Sequence, residues 1–173
     1  MADLGPYAEA LKVVAKDKAS AWRELAALSE AVSREPELKR GLIDAGTRRE
    51  PARGKRLAAL LKPVSTPVAK LVGLLLAEGA LGQLSGLVDV FSRSLAKEGF
   101  VRVHLESADR LTDADERKIL RALKIAPAKA LITSETGPSL IGGIRATVNG
   151  RVHDATLGGR LDRAAEALQG AAA

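Results

Sequence analysis

The sequence predicts an N-terminal all-α six-helix bundle followed by a small α+β C-terminal domain, divided near Gly99 into residues 1–99 and 100–173. Three observations carry that prediction. Apolar residues recur at three- and four-residue spacing through the first hundred positions, then at two-residue spacing beyond Gly99. The chain is 46% hydrophobic but only 2% aromatic (Tyr7, Trp22, Phe91 and Phe100), so its core must be built from Ala, Leu and Val, which suit close helix packing. The stretch from Gly137 to Leu161 is dense in backbone-specific residues and reads as a hairpin docking onto a helix.

Pro6 is tolerated in a first helical turn. Tyr7, Leu11 and Val14 then recur at i, i+4 and i+7, one face of a helix running to about Lys18. Ser20 is placed to cap a second helix with the face Trp22, Leu25, Leu28 and Val32. Pro36 opens a short third helix through Leu38, Leu42 and Ile43, and Leu57, Leu60 and Leu61 form the apolar side of a fourth, stopped by Lys62-Pro63. Ser65-Thr66-Pro67 combines a hydroxyl cap with proline at a helix start. The fifth helix it opens carries Val68, Leu71, Val72, Leu74, Leu75 and Leu76. Because it is apolar nearly all round, it is expected at the centre of the bundle or facing a partner as well. Glu78-Gly79 ends it, and a sixth helix from about Leu81 to Ala96 presents Leu84, Leu87, Val88, Phe91 and Leu95. Short links favour antiparallel neighbours.

Beyond Gly99, Phe100, Val101, Val103 and Leu105 alternate with Arg102, His104 and Glu106, the pattern of a strand. Thr112 stands three residues before Asp115, a capping box opening a helix that contains Ile119, Leu120 and Leu123. Ala130-Leu131-Ile132 forms a second strand. Pro138 biases Gly137 toward extended backbone, and Gly142-Gly143 imposes a bend or a close backbone approach. Ile144, Ala146 and Val148 alternate with Arg145 and Thr147; Asn149-Gly150 supplies the two positive-φ positions of a tight turn, and Val152 to Thr156 returns. Gly158-Gly159 breaks that strand, and a last helix runs from Arg160 to Leu168.

The totals narrow the class. Without cysteine there is no disulfide framework and no thiolate metal site. No apolar run reaches the roughly 18 residues needed to span a bilayer; the longest, Val68 to Ala77, is interrupted by Lys70 and Gly73. The opening MADLGPYAEAL lacks a basic-then-apolar signal pattern, and its acid argues against a transit peptide, so a mature, soluble, intracellular and bacterial chain is expected. The net charge of +6 is shared between the halves. One basic cluster, Arg48, Arg49, Arg53, Lys55 and Arg56, reads as a solvated helix start or as a patch for an anionic partner. It lacks the aromatics on which nucleic-acid binders stack bases.

Catalytic signatures are missing from the sequence: there is no GxxxxGK(S/T) phosphate loop, no GxGxxG after a strand and no HExxH helix. His104 and His153 fall on different strands and read as solvent-facing residues, not as a metal pair. Asp113, Asp115 and Glu116 occupy a first helical turn, where the dipole favours negative charge, and read as capping rather than acid–base groups. Gly142-Gly143 has no helix N-terminus directly behind it and reads as a bend rather than an anion cradle. On the residues alone this is a binding or scaffold protein, with no catalytic residue, cofactor or metal expected.

The run Pro138-Ser139-Leu140-Ile141-Gly142-Gly143, then a hairpin, then Asp154-Ala155-Thr156-Leu157-Gly158-Gly159-Arg160-Leu161 resembles the signature of the delta subunit of F-type ATP synthases. The mitochondrial counterpart of that subunit is the oligomycin-sensitivity-conferring protein. Tyr7-Ala8-Glu9-Ala10-Leu11 is similar to the family's opening helix and Ala77-Glu78-Gly79 to its fifth-helix end, so the likeness spans almost the whole chain. The chain departs from the family at Gly137, where an acid is usual, at Ala155-Thr156, which replace Gly-Ser, and at Gly158, which replaces an arginine.

The resemblance implies a non-catalytic stator component. Residues 1–99 would grip the N-terminal helices of alpha subunits on the catalytic head, and residues 100–173 would hold the b-type peripheral stalk. The clamp would stop the head from turning with the rotor, so that proton flow drives ATP synthesis. It implies a place at the cytoplasmic face of the bacterial plasma membrane, touching the membrane only indirectly, through the complex. A groove between apolar helices accepts an amphipathic helix. The resemblance puts that groove between the first and fifth helices, with Tyr7, Leu11 and Val14 on one wall and Val68, Leu71 and Leu75 on the other; plain core is the competing reading of each. Linked contacts would raise the effective concentration of each partner for the other, and the net positive charge would favour acidic partner segments. The alternative class is a basic nucleic-acid-binding adaptor, resting on Arg48 to Arg56 and the high pI; no nucleic-acid partner is expected under the leading reading.

Overall fold

Six α-helices and four strands form among residues 3–34, 62–137 and 139–170, the residues the computed structural model describes. The chain divides into two units, Met1–Gly99 and Phe100–Ala173. The first contains α1 (Gly5–Val14), α2 (Lys18–Arg34), α3 (Thr66–Ala77), a 3-10 turn at Leu81–Gln83 and α4 (Leu84–Ala96). This corrects the six-helix N-terminal bundle expected from the sequence: four α-helices stand among the described residues of this unit, and the other two lie in the second unit. The segments expected as a third and a fourth helix, and the basic cluster Arg48, Arg49, Arg53, Lys55 and Arg56, lie outside the described residues.

The centre of the bundle also differs from expectation. Helix α4 packs against both α1 and α2 and buries Leu84, Leu87, Val88, Phe91 and Leu95. Helix α3 buries one face, Val68, Leu71, Val72 and Leu75, while Leu74 stays 48% exposed. Trp22 and Leu25 of α2 are fully enclosed. Two caps differ from those the sequence suggests. Asp17 Oδ1, not Ser20, opens α2 by accepting the Ser20 N–H at 2.9 Å. Ser65 makes no cap bond to α3; its N–H and its hydroxyl both donate to Glu24 Oε2, at 2.9 and 2.5 Å, and so tie α3 to α2.

The second unit contains β1 (Val101–Ser107), α5 (Asp113–Ala122), a 3-10 turn at Pro127–Lys129, β2 (Ala130–Thr136), β3 (Ile144–Val148), β4 (Arg151–Asp154) and α6 (Leu157–Gly170). The sheet order is β2-β1-β3-β4. Strands β1 and β2 are parallel, as the α5 crossover between them requires, and the other pairs are antiparallel. Helix α5 begins with the expected capping box of Thr112 and Asp115. Val103, Leu105, Leu120, Ala130, Ile132 and Ala146 form the core between α5 and one sheet face. Asn149 and Gly150 take φ of 47° and 84°, the positive values that a two-residue hairpin turn requires. Asn149 also exchanges hydrogen bonds with the Arg102 backbone, its N–H donating at 3.0 Å and its Oδ1 accepting at 3.1 Å, which fastens the hairpin tip to β1.

Candidate functional site

Helices α1 and α3 lie side by side and antiparallel. At one end the Tyr7 hydroxyl donates to Glu78 Oε2, bridging the opening helix and the end of α3. At the other, Val14 and Pro67 line a cleft of about 330 Å³ shared with Ala21 and Ser65. Because Glu78 accepts from the neutral phenol, that hydrogen bond pushes the Tyr7 pKa above its ordinary value. Of the six expected groove residues, Leu11, Val68, Leu71 and Leu75 are buried inside the bundle, Tyr7 is half-buried, and Val14 is 60% exposed. The exposed apolar surface of the two helices is made by Val13, Val14 and Leu74. Glu78, which ties α1 to α3, and Glu24, which ties α2 to α3, are not among the expected site residues. Their partners lie 71 and 41 positions away, beyond the reach of local patterning.

In the second unit the residues of the 137–161 motif interlock, with Pro138 outside the described residues. Gly143 has φ +85°, and a Cβ there would meet the Ala155 carbonyl oxygen at 2.5 Å. A Cβ on Gly142 would meet Leu157 Cδ1 at 2.8 Å, and one on Gly159 would meet Asp154 Oδ1 at 2.8 Å. The three glycines therefore let the start of α6 sit directly against the entry to β3, where Leu157 N–H donates to the Gly142 carbonyl at 2.9 Å. Thr156 caps α6: its hydroxyl donates to Asp154 Oδ1 at 2.6 Å and accepts the Gly159 N–H at 3.0 Å. These bonds from Thr156, with Arg145 behind them, hold the Asp154 carboxyl below its usual range. Arg145 bridges Glu106 and Asp154, each at 3.4 Å. Ser139 is exposed and Leu140 half-buried.

Beyond this junction several large apolar side chains stay exposed. Ile141 is 83% exposed, and Leu157, Leu161 and Leu168 of α6 are 46%, 65% and 74% exposed. Spaced at i, i+4 and i+11, the three leucines fall on one helical face. Arg160 is exposed beside them.

A family model described as the ATP synthase delta (OSCP) subunit matches residues 4–168. The chain belongs to the ATP synthase delta (OSCP) subunit family. The chain is 37% identical to "ATP synthase subunit delta" of Anaeromyxobacter sp. (strain Fw109-5) over 164 residues, covering 90% of each chain. It is 31% identical to the protein of the same name from Acidiphilium cryptum (strain JF-5), covering 96% of this chain and 87% of that one. The fold is also similar to a chain in the cryo-EM structure of the Toxoplasma gondii mitochondrial ATP synthase hexamer, with a TM-score of 0.50, 20% identity and 98% coverage of both chains.

As a member of the delta family the chain is a peripheral-stalk subunit, a structural component of a synthase that is catalytic as a whole. No helix among the described residues is long and apolar enough to cross a membrane. The family signature is explained here by geometry. Gly142, Gly143, Asp154, Gly159 and Thr156 build the joint between hairpin and last helix, and none of them forms a reactive constellation.

Proposed function

We propose that the first unit of this delta-family chain grips an amphipathic helix from the N-terminus of an alpha subunit along the α1–α3 seam, and that the second unit holds the b-type stalk. The observation that supports this reading is the placement of exposed apolar side chains. They are Val13, Val14 and Leu74 in one unit and Leu157, Leu161 and Leu168 in the other. An amphipathic helix recognises such strips through anchors at i, i+3, i+4 and i+7. Leu11, Val68, Leu71 and Leu75 then form the floor of the first site, and Tyr7 with Glu78 fixes its end. In the second, Gly142, Gly143, Asp154 and Gly159 set the direction of α6, and Ser139, Leu140, Ile141, Arg160 and Leu161 belong to the contact.

In this reading the chain carries no reaction of its own. It acts at the cytoplasmic face of a bacterial plasma membrane, joined to it through the complex, and prevents the head from rotating so that proton flow is coupled to ATP synthesis. The test is reconstitution of proton-driven ATP synthesis in delta-depleted synthase. The wild-type chain restores synthesis, and a chain carrying Val14→Asp with Leu74→Asp does not, although exposed substitutions leave the fold intact. Full restoration by that variant would overturn the assignment of the α1–α3 seam.

A further inference from the structure

On the sheet face opposite the core, His104 and Glu106 stand two residues apart on β1 and point the same way. The parallel register sets Glu106 directly beside Glu135 of β2. Like charges directly opposite one another destabilise a strand pair, so two neighbouring carboxylates favour a cation between them. His104 Nε2 lies 3.2 Å from Glu135 Oε1 and 3.7 Å from Glu106 Oε1, and the ligand atoms of all three residues fall within 4.8 Å of one another. We propose that His104, Glu106 and Glu135 form a binding site for a divalent transition-metal cation of the zinc class.

Three features separate this cluster from an ordinary group of surface charges. The first is distance. Zinc holds imidazole nitrogen and carboxylate oxygen at about 2.0–2.2 Å, so the ligand atoms of a tetrahedral centre stand about 3.3–3.5 Å apart. The two distances from His104 bracket that range. The second is ring orientation. His104 Nδ1 is 3.0 Å from Thr133 Oγ1, a partner that holds the imidazole by its far nitrogen and turns Nε2 to the carboxylates, as ligating histidines require.

The third is the division of labour on Glu106. Its Oε2 accepts from Arg145 Nη1 at 3.4 Å, which leaves Oε1 for the ion. Arg145 also reaches Asp154, so its charge is divided between two carboxylates. One imidazole and two carboxylates suit zinc or its neighbours better than copper(I), which prefers thiolates, or calcium, which takes six to eight oxygens. The residues are partly exposed, at 36%, 27% and 54%, so an ion has an open route in. Reading histidines by sequence spacing alone misses this site, because Glu135 joins it only through the strand register.

The experiment is titration of the full chain with Zn²⁺ by isothermal calorimetry and with Co²⁺ by visible absorption, with circular dichroism on every variant. The expected result is saturable uptake of one Zn²⁺ per chain. His104→Ala and the exposed-site variant Glu135→Gln should each weaken it at least tenfold and remove the cobalt d–d bands. Thr133→Val should weaken it by about tenfold, the usual size of an outer-shell loss, and His153→Ala should leave it within twofold. Absence of saturable uptake would overturn the proposal. So would uptake that a folded Glu135→Gln chain retains in full, or uptake that His153→Ala abolishes.

Discussion

The two units handle their leucines in opposite ways. In the first, Leu25, Leu75, Leu87 and Leu95 are fully enclosed by the packing of α1, α2, α3 and α4, and among the described residues the large exposed apolar side chains are Val13, Val14 and Leu74. In the second, the sheet and α5 close a core without α6, whose Leu157, Leu161 and Leu168 stay in solvent. Among the described residues, the bonds that fix α6 lie at its first turn, in the Thr156 cap and at the glycines that admit Leu157 against Gly142. Under the proposed docking faces, stability and recognition share the same helices in the first unit, whereas in the second they are separated. A burial defect in the first unit should damage fold and binding together; in the second the two can be changed independently.

The largest effects expected are those that break an enclosed element in either unit. Leu75→Ala should cost about 3 kcal/mol, the transfer term plus the cavity it leaves. Gly143→Ala should cost a similar amount, about 3 kcal/mol, because a positive-φ position and a contact at 2.5 Å add. Urea denaturation of the full chain checks both. Trp22, the chain's one tryptophan, lies in the first unit and should report the Leu75 change and not the Gly143 change.

Next in size is the joint of α6. Thr156→Ala removes the cap on Gly159 N–H and should cost about 1 kcal/mol. Asp154 adds a pH dependence. Its folded pKa is depressed, so the stability it contributes is fully present above the unfolded value near 4 and is lost as pH falls through the lower folded value. Asp154→Asn should flatten that part of the acid limb in urea midpoints taken from pH 6 downward.

Tyr7 behaves with the opposite sign. Its folded pKa is raised, so the link to Glu78 contributes fully below the unfolded value near 10 and is lost as pH rises through the folded value. Ultraviolet titration of this sole tyrosine should show the raised value, and Glu78→Gln should return it toward normal. The smallest effect on stability should come from Leu161→Ala or Leu168→Ala, within about 0.5 kcal/mol, because both side chains are already exposed. A loss near that of Leu75→Ala would mean that α6 is packed, and the contrast between the units would fall.

Local signals were legible in the sequence. Thr112 with Asp115, and Asn149 with Gly150, state their backbone geometry within four residues, and both appear as read. Gly142-Gly143 signalled a close backbone approach, and Gly143 makes one to Ala155. Choices between neighbouring candidates were less secure: Asp17 rather than Ser20 caps α2, and Ser65 is drawn away from its cap by Glu24. What depends on distant packing was not legible. Hydropathy marks α3 as apolar but does not reveal that α4 is the helix packed against both α1 and α2, since a pattern shows which face is apolar and not what covers it. The same limit hid Glu78 beside Tyr7 and Glu135 beside His104, pairs made by topology.

The most direct test of two separate docking faces is a crossed binding measurement on the full chain. A peptide from the N-terminus of the alpha subunit and a peptide from the C-terminal end of the b-type stalk are each titrated by calorimetry. The titrations are run into the wild type, into Val14→Asp with Leu74→Asp, and into Leu161→Asp with Leu168→Asp. The expected result is a loss of at least tenfold for the alpha peptide in the first variant and for the stalk peptide in the second, each leaving the other within twofold. Equal losses of both peptides in either variant, or no loss in both, would contradict it.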